Sequence, residues 1–396
     1  MENVSSSNGL EKRPKLRFPG FDEPWSIYKA EELFKNVADK NHPTETVLTI
    51  IQGKGTLPRE QAGRNIHYDD SSLANYKKVE QGDFIIHLRS FEGGLEMANE
   101  DGIVSPAYTI LRCKKPHSSL FYEAYFHTDE FINHILSKSV EGIRDGRQIS
   151  YEAFKWIGLP YCNVSEQEKI AQLFCTLSHR IEKQQQMVDA LKKYKRGLLN
   201  QVFSAISKGS QLRKLRELVH VSGGKTPSMS NSLYWNGDIV WISSKDMKSS
   251  RISGSELKTT NLALNELTLY HPGTLLLVAR SGILKHSLPL AILEVDATIN
   301  QDIKALQVHG CNAFYLYYAI LSQEDNIIRT LVKTGTTVQS LMMDSFLNIE
   351  IPTPDIDLQQ SIIDKLAKLE KYVDVQKKEL SLLSQMRNGL LQQLFI

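Results

Sequence analysis

The chain has 396 residues, of which 41% are hydrophobic and 23% are charged, values ordinary for a globular protein of two or three domains. No stretch approaches 18 apolar residues and the N-terminus has no apolar core, so the sequence predicts neither a membrane span nor a signal peptide. A net charge of only +2 weighs against a stand-alone, tight DNA binder, which usually carries a strongly basic surface.

Residues 1–15 are rich in Ser, Asn and Lys and predict a disordered tail. A first globular region follows over residues 16–160. It has helix-like stretches around Trp25–Asn36 and Ser119–Leu136, and strand-like runs at Thr46–Ile51, Asp83–Leu88 and Ala107–Leu111. Strands interrupted by helices without strict alternation predict a mixed α/β module.

A long helix is predicted within residues 161–207, beginning near Ser165, which forms a capping-box pattern with Glu168. A second mixed module spans residues 208–352. Its strand-like runs are Asp238–Ile242, Thr274–Ala279 and Lys304–Val308, and its predicted helix is Asn312–Gln323. A second long helix, within residues 353–396, is predicted to begin near Asp357, with Gln360 in the place of Glu168.

The second half of the chain repeats the end of the first half. Residues 154–203 align without a gap on residues 346–395, 192 positions later, and 13 of the 50 aligned positions are identical. The run Gly197-Leu198-Leu199-x-Gln201-x-Phe203 returns as Gly389-Leu390-Leu391-x-Gln393-x-Phe395. A duplication of this length indicates two copies of one unit, and hence a protein built to contact two equivalent targets at a set distance.

Both long helices carry apolar residues at spacings of three and four over more than four heptads, which predicts a coiled-coil seam between them. The seam positions are Ile170, Leu177, Ile181, Gln184, Leu191, Leu198, Ile362, Leu369, Val373, Gln376, Leu383 and Leu390. In an antiparallel pair the two glutamines would face each other near the middle and fix the register. The alternative is a solvated Gln at a loose point of the seam. On the face opposite the seam, apolar residues such as Leu173, Leu199 and Phe203 would either dock another protein or cover the adjoining module.

No motif for catalysis or metal binding is found. Gly223-Gly224-Lys225-Thr226 resembles the end of a phosphate-binding loop, but Val219 stands where that motif requires glycine. There is no His-Glu-x-x-His and no Asn/Asp-Pro-Pro-Tyr/Phe, the catalytic loop of amino-methyltransferases. The four cysteines have no paired spacing, which predicts reduced thiols in a cytoplasmic protein. The sequence thus predicts no catalysis, no metal and no cofactor bound by this chain.

Together these features resemble the specificity subunit of a type I restriction–modification system. The resemblance rests on Pro14–Phe21 with Trp25, and on Arg89-Ser90 and Arg280-Ser281 after paired strands. It rests also on Ser105-Pro106-Ala107-Tyr108, Asn300-Gln301-Asp302-Ile303, Gly223-Gly224-x-Thr226-Pro227, and the Gly-Leu-Leu-x-Gln-x-Phe that closes each half. It covers nearly the whole chain from Leu16 to Ile396, and the order and duplication of the motifs make it specific.

The resemblance implies a mixed α+β fold with a pseudo-two-fold internal repeat, in which two long antiparallel coiled-coil helices separate two target-recognition domains. Each domain would read one half of a bipartite double-stranded DNA target, and the helices would set the spacing. The helices would also bind two methyltransferase subunits, which carry S-adenosylmethionine. Two motor-endonuclease subunits, which use ATP and Mg²⁺, would join to cleave unmethylated DNA. No membrane is implied.

Between Lys208 and Lys258 nine Lys/Arg residues stand against four Asp/Glu residues, a surplus compatible with phosphate contacts. Loop residues beside the recurring motifs are the predicted DNA contacts, although each could instead be a solvated side chain or a backbone cap. In the first module they are Arg59, Arg64, His67, Arg89, Ser90, Arg144, Arg147 and Gln148. In the second they are Lys225, Thr226, Ser243, Lys245, Arg280, Ser281, Lys333, Thr334 and Thr336.

Two other functions stay open at this stage. The chain could be a pure interaction protein, a decoy or inactive relic of a specificity subunit that binds partner subunits but reads no DNA. It could also be an independent enzyme with an unfamiliar site, although no motif supports this. An intact, unbroken duplication argues mildly against decay.

Overall fold

The structure, a computed structural model, describes residues 14–63, 70–142, 148–333 and 338–395. Its helices are α1 Ala30–Leu33, α2 Ser90–Gly93, α3 Ser119–Phe126, α4 Tyr151–Phe154, α5 Val164–Ser207, α6 Ala313–Leu321, α7 Glu324–Leu331, α8 Met343–Phe346 and α9 Ile356–Leu394. The tail predicted over residues 1–15 lies, apart from residues 14 and 15, outside the described residues.

The strands of the first half of the chain are β1 Ser26–Lys29, β2 Phe34–Val37, β3 Leu48–Ile51, β4 Gly55–Pro58, β5 Lys77–Val79, β6 Phe84–Ile86, β7 Glu96–Met97, β8 Gly102–Val104, β9 Thr109–Cys113, β10 Val140–Glu141, β11 Gln148–Ile149 and β12 Gly158–Tyr161.

Those of the second half are β13 Gln211–Lys214, β14 Val219–Gly223, β15 Trp235–Ile242, β16 Arg251–Ile252, β17 Leu257–Thr259, β18 Leu275–Val278, β19 Leu290–Leu293, β20 Ala297–Ile299, β21 Ile303–Val308, β22 Val332–Lys333, β23 Ser340–Leu341 and β24 Glu350–Thr353.

The chain divides into two compact units. The first unit comprises Met1–Gln185 and Lys378–Ile396, and the second unit comprises Gln186–Lys377. Each unit therefore contains one globular module together with one part of α5 and one part of α9.

In the first unit the main sheet is antiparallel, with strand order β2-β9-β6-β7. Aromatic residues of the sheet and of α3 fill its core. The ring of Phe84 lies 4.9 Å from that of Phe126, and the ring of Phe34 lies 5.3 Å from that of Tyr122. All four side chains are fully buried, so burial of large aromatic surface holds α3 on the sheet.

In the second unit the main sheet has strand order β14-β21-β18-β19-β16, and its first four strands are antiparallel neighbours. This order repeats that of the first unit, with β14, β21, β18 and β19 in the places of β2, β9, β6 and β7. In a further sheet of this unit, β15 pairs antiparallel with β17 and parallel with β20. In the first unit β3 likewise pairs antiparallel with β4, and Val47, just before β3, forms a parallel bridge with Ile103 of β8. The predicted mixed α/β fold is confirmed.

The two long helices run antiparallel within each unit. In the first unit the ring of Phe174 stacks on Phe395, and Arg180 pairs with Glu379, so α9 runs backwards as α5 advances. In the second unit Lys195 pairs with Glu370, and the later α5 residue Phe203 shares a core with the earlier α9 residue Ile362.

The twelve predicted seam residues are all buried or half-buried. Ile170, Leu177, Ile362, Val373 and Leu383 are buried, whereas both glutamines, Gln184 and Gln376, are half-buried. The register-fixing role of the two glutamines stays a prediction.

Both long helices begin one residue before the predicted position, at Val164 and Ile356, but the predicted capping role of Ser165 is wrong. The side-chain oxygen of Asn163 accepts a hydrogen bond from the backbone N–H of Ser165 at 2.9 Å, and that of Asp355 accepts from Leu358 at 2.8 Å. Asn163 and Asp355 occupy equivalent positions in the repeat and cap α5 and α9, because a short polar side chain just before a helix satisfies its orphan N–H groups. Ser165 therefore lies inside the helix.

The docking interpretation of Leu173, Leu199 and Phe203 is also wrong. Leu199 and Phe203 are buried in the core of the second unit, and Leu173 packs against the core of the first. These positions face the module that follows or precedes them along the chain, so they serve as coverage. No described helix is long and apolar enough to span a membrane.

Candidate nucleic-acid interface

Four loops of the second unit meet at one edge of its sheets. The backbone N–H of Lys225, after β14, donates to Ile299 O at 3.0 Å, and that of Asn300, after β20, donates to Ile242 O at 2.9 Å. The N–H of Ala279, after β18, donates to Asp302 O at 2.8 Å. We call residues 223–227, 243–246, 279–282 and 299–302 the second-unit loop cluster.

Gly224 explains why the first of these loops carries a Gly-Gly pair. A Cβ atom on Gly224 would lie 2.0 Å from Ile299 O and 2.5 Å from Asn300 O, far inside contact distance. Only a residue without a side chain allows the two loops to approach this closely. Gly224 therefore serves the packing of the two loops, and the sequence around it does not match a phosphate-binding loop.

Thr226 and Gln301 form the polar contact at the tip of the cluster. The Thr226 hydroxyl donates to Gln301 Oε1 at 2.6 Å, and both side chains are exposed. Thr226 was a predicted contact, but Gln301 was not. Gln301 belongs to the motif Asn300-Gln301-Asp302-Ile303, and its partner Thr226 lies 75 residues earlier in the chain, so nothing in the sequence indicated that the two meet.

Ser243 and Lys245 lie on a loop held by Asp246. That carboxylate accepts hydrogen bonds from the Ser243 N–H at 2.8 Å, the Ser243 hydroxyl at 2.7 Å and the Glu256 N–H at 3.1 Å. Ser243 is therefore part of a local turn, because its hydroxyl is already engaged. Lys245 is exposed beside it.

Arg280 and Ser281 follow β18 as expected from the sequence. Arg280 is exposed, and its backbone forms a bridge with Ser340. The Ser281 hydroxyl accepts from the backbone N–H of Ile283 at 3.4 Å, which is a local cap. Lys333, at the end of β22, is exposed, whereas Thr334 and Thr336 lie outside the described residues.

In the first unit, the neighbouring residues Arg89 and Ser90 differ in exposure. Arg89 is exposed and pairs with Glu92 at 2.6 Å. Ser90 is fully buried, and its hydroxyl accepts from the backbone N–H of His87 at 2.9 Å, so it shapes the turn and does not reach the surface. Gln148 is exposed on β11, which lies beside α2.

The remaining first-unit candidates are dispersed or undescribed. Arg59 is half-buried, with its guanidinium 6.0 Å from the ring of Tyr76. It follows β4, at the end opposite the β3–β4 turn, whereas the Gln52 side chain at that turn lies against Gly93 of α2. The predicted contacts that lie outside the described residues are Arg64, His67, Arg144 and Arg147.

A buried pair that the sequence did not suggest holds the β3–β4 turn. Glu96 is fully buried and accepts from the backbone N–H groups of Gly53 at 2.7 Å and Gly55 at 2.9 Å, and it contacts His127 Nε2 at 3.3 Å. Burial opposes both charged forms, but the mutual hydrogen bond and the opposite charges leave the pKa of Glu96 lowered and the pKa of His127 raised. The hydrogen bonds of Glu96 therefore hold the β3–β4 turn beside α2.

The arrangement offers hydrogen-bonding and cationic side chains on loops joined by backbone hydrogen bonds, which suits phosphates and base edges. Among the residues described, no group of His, Cys, Asp or Glu could hold a metal ion.

Comparisons with known proteins point to one family. Residues 207–385 match the model of the type I restriction modification DNA specificity domain. The chain is 36% identical over 162 residues to the specificity subunit of the type I restriction enzyme EcoR124I/EcoR124II of Escherichia coli, a match covering 40% of each protein. It is 29% identical over 197 residues to the MjaIX specificity subunit of Methanocaldococcus jannaschii, covering 48% of this chain and 45% of that one. The matches thus span less than half the length of these relatives.

Two solved structures share the fold over nearly the whole chain. The S subunit of a type I restriction–modification system from M. genitalium superimposes with a TM-score of 0.59 at 15% identity, covering 97% of this chain and 99% of that one. A chain from a structure concerned with assembly and conformational transition of the type I system gives a TM-score of 0.57 at 15% identity, covering 95% and 98%.

Proposed function

We propose that this chain, which belongs to the family of type I restriction–modification specificity subunits, selects the DNA sequence on which such a complex acts. Its first module, residues 16–160, reads one half of a bipartite target, and its second module, residues 208–352, reads the other. The long helices, residues 161–207 and 353–396, set the spacing between the halves. The chain is a recognition subunit and not an enzyme.

The observation that carries this proposal is the repeated strand order of the two units. Strands β2-β9-β6-β7 recur as β14-β21-β18-β19, and an exposed arginine follows both β6 and β18. Two copies of one scaffold with different loops suit two half-sites of different sequence, because loops on a rigid scaffold can vary without loss of the fold.

The partners of the chain in this proposal are two methyltransferase subunits, which bind S-adenosylmethionine, and two motor-endonuclease subunits, which bind ATP and Mg²⁺. Exposed apolar side chains of the long helices are the candidate docking residues. In the second unit these include Met187, Tyr194, Tyr372 and Val375, and in the first unit they include Leu382 and Met386. Where such side chains form a contiguous apolar patch, that patch marks a protein interface. The role also places the protein in the cytoplasm with the DNA.

The proposal is tested by mapping methylated adenines across the genome of cells with and without this gene, with its neighbouring genes intact. We expect a split sequence motif whose methylation requires the gene, and which returns when the gene is restored on a plasmid. If no methylation depends on the gene while the chain still copurifies with a methyltransferase, the chain is an interaction protein that reads no DNA.

A further inference from the structure

The loop that carries Gln301 is held by hydrogen bonds to one neighbouring loop and by close contact with another. The Asn300 side chain is buried, and its Oδ1 accepts from the Asp302 N–H at 3.1 Å. The Asp302 carbonyl accepts from the N–H groups of Ala279 at 2.8 Å and Arg280 at 3.3 Å. On the other side, Gly224 lies directly against the carbonyls of residues 299 and 300. Gln301 is thus the exposed tip of a fixed loop.

Its side chain is fixed as well. The Thr226 hydroxyl donates to Gln301 Oε1 at 2.6 Å, a short bond that orients the amide plane. The carbonyl oxygen of an amide has two lone pairs and its nitrogen has two N–H groups. Gln301 therefore keeps one acceptor position and both donors for a ligand. A side chain ordered in advance loses little entropy on binding, which favours a role in recognition.

We propose that Gln301 reads an adenine in the second half-site and that Thr226 is its positioning residue. This inference rests on the proposed function. Adenine presents the N7 acceptor and the N6–H₂ donor side by side in the major groove, and a glutamine amide matches both with its N–H and its oxygen. Guanine presents two acceptors there, N7 and O6. The amide oxygen of glutamine would then face O6 with no hydrogen between them. The exposed cations Lys225 and Arg280, on the two loops that hold the Gln301 loop, supply phosphate or neighbouring-base contacts.

The first test replaces the amide. Gln301→Glu keeps an acceptor for Thr226 but removes both N–H donors, and Gln301→Ala removes the group without adding charge. Gln307→Glu is the matched control, because Gln307 is an exposed glutamine of β21, outside the loop cluster. Binding of the complex with its methyltransferase subunits is measured on duplexes that carry each base pair in turn at every position of both half-sites.

We expect both Gln301 variants to lose discrimination for adenine at one position of the second half-site by about 5- to 150-fold, the range for a bidentate base contact. The first half-site and Gln307→Glu should be unaffected. An equal loss on all duplexes, or no loss, overturns the inference. A wild-type complex that prefers no split sequence would instead defeat the proposed function itself.

The second test addresses Thr226. Thr226→Val removes the hydroxyl while keeping the branched shape, so we expect partial loss of discrimination at the same base pair as in Gln301→Ala. Thr226→Ser restores a hydroxyl and should restore discrimination. If Thr226→Val changes a different base pair, or if Thr226→Ser fails to rescue, Thr226 does not position Gln301.

Discussion

Arg89 and Arg280 follow equivalent strands but meet different neighbours. Arg89 pairs with Glu92 at 2.6 Å, whereas among the described residues no carboxylate pairs with Arg280. An uncommitted guanidinium can donate to both O6 and N7 of guanine. We predict that Arg280→Ala weakens binding through the second half-site only, by about 1–3 kcal/mol if the contact is bidentate to guanine. Equilibrium binding to duplexes with one half-site scrambled measures this.

Arg89→Ala is the matched comparison for that experiment. Its guanidinium must leave Glu92 before it can contact DNA, so its removal should cost less and should act on the first half-site. A loss for Arg280→Ala that is equal on every DNA sequence would make Arg280 a phosphate contact. No loss would remove it from the interface.

The sequence predicted the exposed basic side chains well. It did not predict which serine hydroxyls are available to bind DNA. Lys225, Lys245 and Arg280 are exposed as expected, whereas Ser90, Ser243 and Ser281 use their hydroxyls in local turns and caps. Serine reaches only the nearby backbone, so a serine beside a turn is engaged by that turn. Long basic side chains extend past it.

At the scale of elements, the local sequence pattern predicted several strands and all three of the longest helices. The strands β9, β18 and β21 and the helices α5, α6 and α9 lie within a few residues of expectation. The helix predicted over Trp25–Asn36 is wrong, because this stretch forms β1, the single turn α1 and β2. Its strands pair with residues far along the chain, as Ser26 does with Tyr161 and Phe34 with Cys113. Such non-local pairing overrides a local helical pattern.

Gln167 and Gln359 occupy equivalent positions in the internal duplication and form equivalent hydrogen bonds. Gln167 accepts from the Ser118 N–H and donates to Cys162 O, and Gln359 accepts from the Asn312 N–H and donates to Pro354 O. Both glutamines are buried, and each fastens the start of a long helix to the loop before α3 or α6. Gln167 and Gln359 are one of the 13 identical pairs in the alignment, but the alignment alone gives no reason for the identity.

We therefore predict that Gln359→Leu destabilises the second unit by about 1–3 kcal/mol, because it leaves the N–H of Asn312 and the carbonyl of Pro354, both half-buried, without their partner. The matched control is Gln360→Leu, since Gln360 is exposed and donates a hydrogen bond to Asp364 on its own helix. The control should change stability by less than about 0.5 kcal/mol. Urea unfolding of the full chain compares the two variants, and equal effects would contradict the fastening role.

At the scale of the whole molecule, the first and last strands of each module pair with each other. In the second unit β13 pairs with β24, which places Leu212 opposite Pro352, and in the first unit β1 pairs with β12, which places Ile27 opposite Pro160. The chain thus enters and leaves each module on neighbouring antiparallel strands. A module built in this way can be exchanged without altering the path of the long helices, because its two ends stay adjacent.

Exchange of residues 208–352 for the corresponding module of a relative should therefore change the second half of the methylated motif alone. The first half should persist, since residues 16–160 are untouched, and the spacing should persist, since both long helices are retained. A genome-wide map of methylated adenines measures all three features at once. The control exchanges the module for itself, with only the junction codons altered. A change in the first half or in the spacing would mean that the second module and the helices do not act as separate parts.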